Sequence, residues 1–111
     1  MRRGEVWIAD LNPRMGTEPG KTRPVLVIQS QDLNDVGHPS TIVLPLTTNL
    51  IDDSDPLRVR IKPEKLKASD VLIDQIRAID NRRLVKGPVA RLSSSTMTRI
   101  EAAIREVLDL M

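Results

Sequence analysis

Up to residue 92 the chain is a series of short apolar or alternating runs broken by proline, glycine and polar turns; only from Ser93 onward does the apolar spacing become helical. That order excludes repeated βαβ units and predicts a small, strongly curved sheet or partly open barrel with segregated helices. The run Pro24-Val-Leu-Val-Ile28 is continuously apolar and β-branched, as expected of a central strand buried on both faces, with Pro24 tolerated at its entrance. Residues 5 to 11 form a first strand candidate. Thr41-Ile-Val-Leu-Pro-Leu-Thr47 is a third, in which Pro45 suggests an edge, a bulge or a strand end and Thr47 falls where strand becomes loop. Leu57 to Lys62 alternates apolar and basic residues, so Arg58, Arg60 and Lys62 are expected to point outward. Residues 69 to 80 read as a strand pair or bent strand, 81 to 84 as a turn, and 85 to 92 as a last strand. Beyond Ser93, a candidate N-cap, Met97, Ile100, Ile104, Val107 or Leu108, and Met111 fall on one helical face.

At 111 residues the expectation is one domain spanning 1–111. The chain contains no Cys and a single His, His38. Disulfide scaffolds, cysteine nucleophiles and thiolate zinc sites are thereby excluded, and little remains for a histidine metal cluster or a two-histidine nuclease. No apolar run reaches the 18 residues or so of a membrane span, and the N-terminus lacks an apolar signal core, so a cytoplasmic protein is expected. The net charge of +2 hides an uneven distribution: residues 1–31 carry +2, 32–55 carry −5, 56–91 carry +6 and 92–111 carry −1. The basic block can present a positive face to phosphates, or it is ordinary solvated surface. The acidic stretch Asp52-Asp53-Ser54-Asp55 lacks calcium-loop spacing and reads as a charged loop. Trp7 is the only aromatic residue, which argues against a nucleic-acid surface of stacked rings.

Several residues are placed for chemistry. Gly16 to Thr22 is one residue short of a nucleotide phosphate loop and precedes a strand where that motif requires a helix. Arg23 immediately precedes the buried Pro24–Ile28 run, so the sheet fixes its base while its guanidinium can reach a phosphate bidentately; pairing with Glu18 is the plainer alternative. Thr47, at the other strand end, can bond a phosphate oxygen or orient a ribose hydroxyl, or it is structural. His38 lies in a loop without a second histidine and reads as surface decoration. Glu18 can select a base edge, polarise Arg23 or solubilise the first loop. Gln75 and Arg77 flank Ile76, which predicts both on one strand face, to read a base edge and hold a phosphate or to pair with neighbouring loops.

The ordered combination Arg3-Gly-Glu-Val-Trp7, Asp10-Leu-Asn-Pro13, Gly16-Thr-Glu18, Thr22-Arg-Pro-Val-Leu-Val-Ile28, Pro45-Leu-Thr47 and Asp74-Gln-Ile-Arg77 resembles the MazF/PemK toxin family over nearly the whole chain. The resemblance implies a small SH3-like barrel with accessory helices and a C-terminal helix, assembled as a homodimer. It also implies cofactor-independent and metal-independent cleavage of single-stranded RNA. The family's catalytic Arg matches Arg23 and its catalytic Thr matches Thr47. Thr17 and Glu18 match the first-loop recognition region, and Gln75 and Arg77 the strand region near bound RNA. Where the family usually has Gln after the first-loop Glu, this chain has Pro19, a departure that bears on cleavage-sequence preference more than on reaction class. The implied reaction uses the substrate's own 2′-hydroxyl as nucleophile and leaves a 2′,3′-cyclic phosphate and a 5′-hydroxyl. That suits a cysteine-free, histidine-poor chain, because the RNA brings the nucleophile and the protein positions it and stabilises developing charge. Some of Arg58, Arg60, Lys62, Arg77, Arg82 and Arg83 would guide the RNA backbone. DNA lacks the internal nucleophile and should be a poor substrate.

The resemblance further implies neutralisation by a MazE-type antitoxin whose disordered acidic tail covers the RNA groove, with DNA contacted only indirectly through that antitoxin. The apolar helix face is consistent with a dimer surface. A competing reading places a non-catalytic regulatory or gyrase-interacting protein on the same fold, and a third a plain RNA-binding module.

Overall fold

The apolar run that follows Arg23 lies near the middle of a single curved, unclosed antiparallel sheet of seven strands. The computed structural model describes all residues 1–111. Its strands are β1 (Glu5–Asp10), β2 (Thr22–Val27), β3 (Ser40–Thr47), β4 (Arg58–Ile61), β5 (Ser69–Leu72), β6 (Arg77–Asp80) and β7 (Leu84–Arg91). They are ordered β4-β5-β3-β2-β1-β7, and β6 lies beside the first half of β3. Two helices, α1 (Gln31–Asp35) and α2 (Ser94–Val107), and two 3-10 turns, Ile73–Gln75 and Asn81–Arg83, complete the chain. No helix is long and apolar enough to cross a membrane.

Burial on both faces explains the unbroken apolar character of β2. Val25 joins Ala9, Leu11, Val43 and Ile79 on one face, whereas Leu26 joins Val6, Leu44, Leu46, Val59, Val71 and Ile73 on the other. Helix α2 covers the second face with Met97, Ile100 and Ala103, and Ser93 caps it by accepting from the Thr96 N–H. Each fully buried Leu or Val contributes about 1.5–3 kcal/mol, so these two clusters are the main cohesive force. The apolar stripe of α2 is used within this chain's own core, which corrects its expected role as a dimer surface. The helix also ends at Val107, and Leu108 and Met111, expected on the same stripe, are exposed.

Strand β3 changes neighbours along its length. Ser40–Val43 pairs with β6, Val43–Pro45 with β2, and Leu46–Thr47 with β5. Pro45, with no N–H to give, sits where the strand passes from β6 to β5; it is neither on an edge strand nor at the strand end. Residues 69–80 form β5 and β6 separated by the turn Ile73–Gln75. Gln75 is therefore not on a strand beside Arg77, as alternation around Ile76 had predicted. The connection 30–40 contains α1, which buries nothing and leaves no apolar period to detect.

Arg58 and Arg60 alternate with buried Val59 and Ile61 as expected, but they fold back onto Asp70 instead of pointing freely outward. Asp70 lies between Thr47 of β3 and Arg60 of β4 in the cross-strand register, and its side chain is 1% exposed. One carboxylate oxygen accepts from Arg60 Nε; the other accepts from the Ile51 N–H at 2.9 Å and from Arg58 Nη1 at 3.1 Å. Burial pushes this carboxyl up, but the Arg60 hydrogen bond, the Ile51 N–H and Arg58 outweigh it and hold Asp70 below the usual carboxylate range.

At the other side of the sheet, buried Glu5 accepts from Trp7 Nε1, the Arg2 N–H and Arg91 Nη2. The indole so fixed lies against Gly87 of β7, where an added Cβ would fall 2.3 Å from Trp7 Cδ2. A Gly87→Ala variant should lose about 1–3 kcal/mol by overpacking, read as a lowered Tm and partly recovered by Trp7→Leu; an unchanged Tm would contradict this contact. Because Asp70 has a depressed pKa in the folded state, its contribution is complete above the unfolded value of about 3.9 and is lost as pH falls through the folded value. Asp70→Asn should therefore flatten the fall of unfolding free energy below about pH 4, measured by denaturant titration; a parallel pH profile would reject that role.

Candidate active site

Arg23 and Thr47 meet at the open end of the β2–β3 ladder. The ladder ends at the pair Val25 and Pro45, and Arg23 and Thr47 each lie two residues beyond it, bordering one groove. The Arg23 guanidinium is partly buried: Nε donates to Gly20 O at 2.9 Å and Nη1 makes a long bond to Leu46 O at 3.5 Å. Its remaining nitrogen has no protein acceptor. Burial, and secondarily the nearby charge of Arg14, lower its pKa from the ordinary value. The Thr47 hydroxyl accepts from the Asn49 N–H at 3.1 Å, which fixes its rotamer and leaves its proton free to donate.

The two side chains open onto a polar groove of about 350 Å³, bordered also by Thr17, Glu18, Lys21 and Arg58. Four cations, Arg14, Lys21, Arg23 and Arg58, face it against one carboxylate, Glu18, so the groove favours an anion. Its outer wall is the first loop, which is tied at its base. Leu11 N–H donates to Lys21 O and Lys21 N–H to Asn12 Oδ1, both at 2.9 Å, while Arg83 Nη1 reaches the carbonyls of Asp10 and Asn12. A loop rich in proline and glycine thus keeps a defined wall without regular structure.

A second groove of about 340 Å³ adjoins the first, with Thr17, Pro19, Arg58 and Leu72 common to both. It adds Gln75 and Asp74 from the turn after β5, together with Ile51 and Leu57. The structure therefore brings Arg23, Thr47, Thr17, Glu18, Arg58 and Gln75 into one continuous channel. Arg77, at the start of β6 opposite Val43, lines neither groove.

The other basic candidates are engaged elsewhere. Arg60 binds Asp70 and Asp52, and Lys62 donates to Leu66 O. Arg82 donates to both oxygens of Asp80 and, with its backbone N–H, holds that carboxyl down to about 2. Arg83 secures the first loop. His38 is exposed and lines neither groove. Asp52, Asp53 and Asp55 border a third concavity, which shares Arg58 with both grooves and Ile51 and Ser54 with the second, and nowhere do three His, Asp or Glu side chains converge as metal ligands.

Sequence reasoning passed over Arg14, Lys21 and Asn49 as groove residues, and Asp70 entirely. The first two were visible only as loop charges, because proximity to Arg23 depends on how the loop folds back. Asp70 did carry a signal: one carboxylate inside a buried strand, near a strand bearing Arg58 and Arg60, needs a cationic partner.

The chain matches the family model described as the PemK-like, MazF-like toxin of type II toxin-antitoxin systems over residues 2–108. It is 38% identical over 116 aligned positions to Endoribonuclease MazF of Staphylococcus epidermidis, covering 99% of this chain and 92% of that protein. Among solved structures it superposes on MazF of Deinococcus radiodurans with a TM-score of 0.84 at 21% identity, covering 99% and 97% of the two chains. A mycobacterial endoribonuclease in complex with its cognate antitoxin gives a TM-score of 0.76 at 22% identity, covering 100% and 95%. These two structural likenesses establish the fold. With the family match and the curated relative, both spanning nearly its whole length, the chain belongs to the PemK-like, MazF-like toxin family of type II toxin-antitoxin systems.

Proposed function

We propose that this protein is a metal-independent endoribonuclease toxin that cleaves single-stranded mRNA. The observation that carries the proposal is the pairing of a partly buried, incompletely bonded guanidinium, Arg23, with a held hydroxyl, Thr47, in a cationic groove. In the reaction, the 2′-oxygen of one ribose bonds to the adjacent phosphorus and the bond from phosphorus to the 5′-oxygen breaks. The 2′-hydroxyl proton passes to solvent water and the departing 5′-oxygen takes one from it, leaving a 2′,3′-cyclic phosphate and a 5′-hydroxyl. Arg23 donates to the non-bridging oxygens as charge builds in the transition state, and Thr47 bonds the phosphate or aligns the attacking hydroxyl. Neither role needs a residue that titrates near neutrality.

The first loop, with Thr17 and Glu18, and Gln75 in the adjoining groove place the flanking bases. Arg60, Lys62, Arg77, Arg82 and Arg83 line neither groove and act on RNA that extends beyond the channel. Pro19 is common to both grooves, so the departure at this position affects which bases fit.

The expected partner is a MazE-like antitoxin with an acidic disordered tail. Four cations against one carboxylate give such a tail a complementary surface, and a mycobacterial structural relative is an endoribonuclease bound to its cognate antitoxin. DNA contact in that assembly would come from the antitoxin. A homodimer of a one-domain chain acting in the cytoplasm completes the proposal.

With mixed-sequence single-stranded RNA in EDTA, Arg23→Ala should lower the cleavage rate about 10²–10³-fold, as loss of a charge-stabilising donor does elsewhere. Thr47→Ala should also slow cleavage, and the wild-type product ends should be cyclic phosphate and 5′-hydroxyl. Intact RNA after incubation with folded wild type would reject the nuclease and favour a non-catalytic family member, whereas full activity in both variants would reject the site. Saturating cognate antitoxin should form a stable complex and suppress cleavage; an unchanged rate would remove the partner from the account.

A further inference from the structure

We propose that Asp70 is a positioning residue that holds Arg58 as a second phosphate-binding cation, at the junction between the Arg23–Thr47 groove and the Gln75 groove. The proposal rests on the nuclease reading above and adds to it a device for setting the path of the RNA backbone.

Arg58 is the only charged side chain bordering both grooves. Its Nη1 is used twice, donating to Asn49 O at 2.9 Å and to Asp70 Oδ2 at 3.1 Å, while Nε and Nη2 make no hydrogen bond within the protein. A planar guanidinium anchored through one nitrogen presents its other donors in a fixed direction, which a flexible surface arginine does not. Asp70 is itself immobilised: Arg60 takes its other oxygen, the Ile51 N–H shares the Arg58 side, and its side chain is 1% exposed. The same contact secures the segment that follows Thr47, so one buried carboxylate fixes both the hydroxyl's loop and the neighbouring cation.

Stability alone is a poor explanation of this arrangement. A buried ion pair returns little net stability over apolar residues of similar size, and the two residues that follow Asp70 in β5, Val71 and Leu72, are apolar. A phosphate at the junction supplies a reason for a carboxylate here, because Asp70 orients a charge that the substrate then uses. A chain of phosphates entering past Gln75 would meet Arg58 immediately before the bond that Arg23 and Thr47 address.

The test uses two probes, a mixed-sequence single-stranded DNA, which binds through phosphates but cannot be cleaved by this route, and mixed-sequence single-stranded RNA in EDTA. Arg58→Gln should weaken DNA binding about tenfold or more. It should also reduce the slope of log affinity against log salt by about 0.7, the loss of one phosphate contact. Asp70→Asn should weaken binding in the same direction while remaining folded at the assay temperature. Added to Arg58→Gln it should cost much less affinity than it does alone, the non-additivity expected when one residue acts mainly through the other. Arg3→Gln removes a cation and an ion pair with Glu101 at the opposite end of β1 and β2 and should leave both assays unchanged.

If Asp70→Asn melts below the assay temperature, Arg58→Lys carries the test. It keeps the charge without the planar fork and should lose nearly as much affinity as Arg58→Gln. Wild-type affinity in Arg58→Gln or Arg58→Lys, or equal effects of Asp70→Asn with and without Arg58, would overturn the proposal. A wild type that cleaves RNA while Arg58→Gln is silent rejects this inference alone. A wild type that binds through Arg58 but leaves RNA intact supports the positioning role and rejects the nuclease reading.

Discussion

The architecture turns on β3 being shared among three neighbours. The strand serves β6 with its first residues, β2 in its middle and β5 at its end, and Pro45 stands where its partner changes. The curvature follows from local chemistry, since proline cannot donate to the ladder and the right-handed twist accumulates through it. It also determines where the ladder with β2 stops. Beyond Val25 and Pro45 the strands separate, and in that opening Arg23 and Thr47 face one groove with their backbones still held by the sheet. The core anchors this end: Leu46 and Val71, the strand neighbours of Thr47 and Asp70, are paired with each other and buried.

Electrostatics then distinguishes the groove from the rest of a moderately charged surface. Most arginines of the basic region are already occupied, by Asp70, Asp52, Asp80 or loop carbonyls. Those that retain unbonded donors toward the groove are Arg14, Arg23 and Arg58. Partial burial of Arg23 makes a hydrogen bond to an incoming phosphate stronger than the same bond in open water, and it destabilises the cation until an anion arrives. A site of this kind suits chemistry in which the protein supplies no nucleophile.

Much of this was legible in the residues. The uninterrupted apolar character of 24–28 announced a strand buried on both faces, and the change of period at Ser93 announced the capped helix, because both signals are local and set by burial. Arg23 and Thr47 could be singled out because each borders such a strand, and the order of motifs joined them. What could not be read depends on contacts between distant segments. The break at Ile73–Gln75 has no proline or glycine to mark it and moved Gln75 off the predicted strand face and into the second groove. Arg58 and Arg60 alternated like solvated cations, and only the register with β5 brought Asp70 between them. The apolar face of α2 looked equally suited to a partner or to the chain's own sheet, and three-dimensional packing decided for the sheet.

The central claim is that the RNA itself supplies the nucleophile and that the channel of Arg23 and Thr47 only positions it and stabilises charge. The most direct test compares two single-stranded RNAs of identical mixed sequence, one unmodified and one fully 2′-O-methylated, incubated with the wild-type protein in EDTA. The unmodified strand should be cleaved to cyclic-phosphate ends and the methylated strand left intact. Comparable cleavage of both would contradict it, since the attacking group would then have to come from water or from the protein.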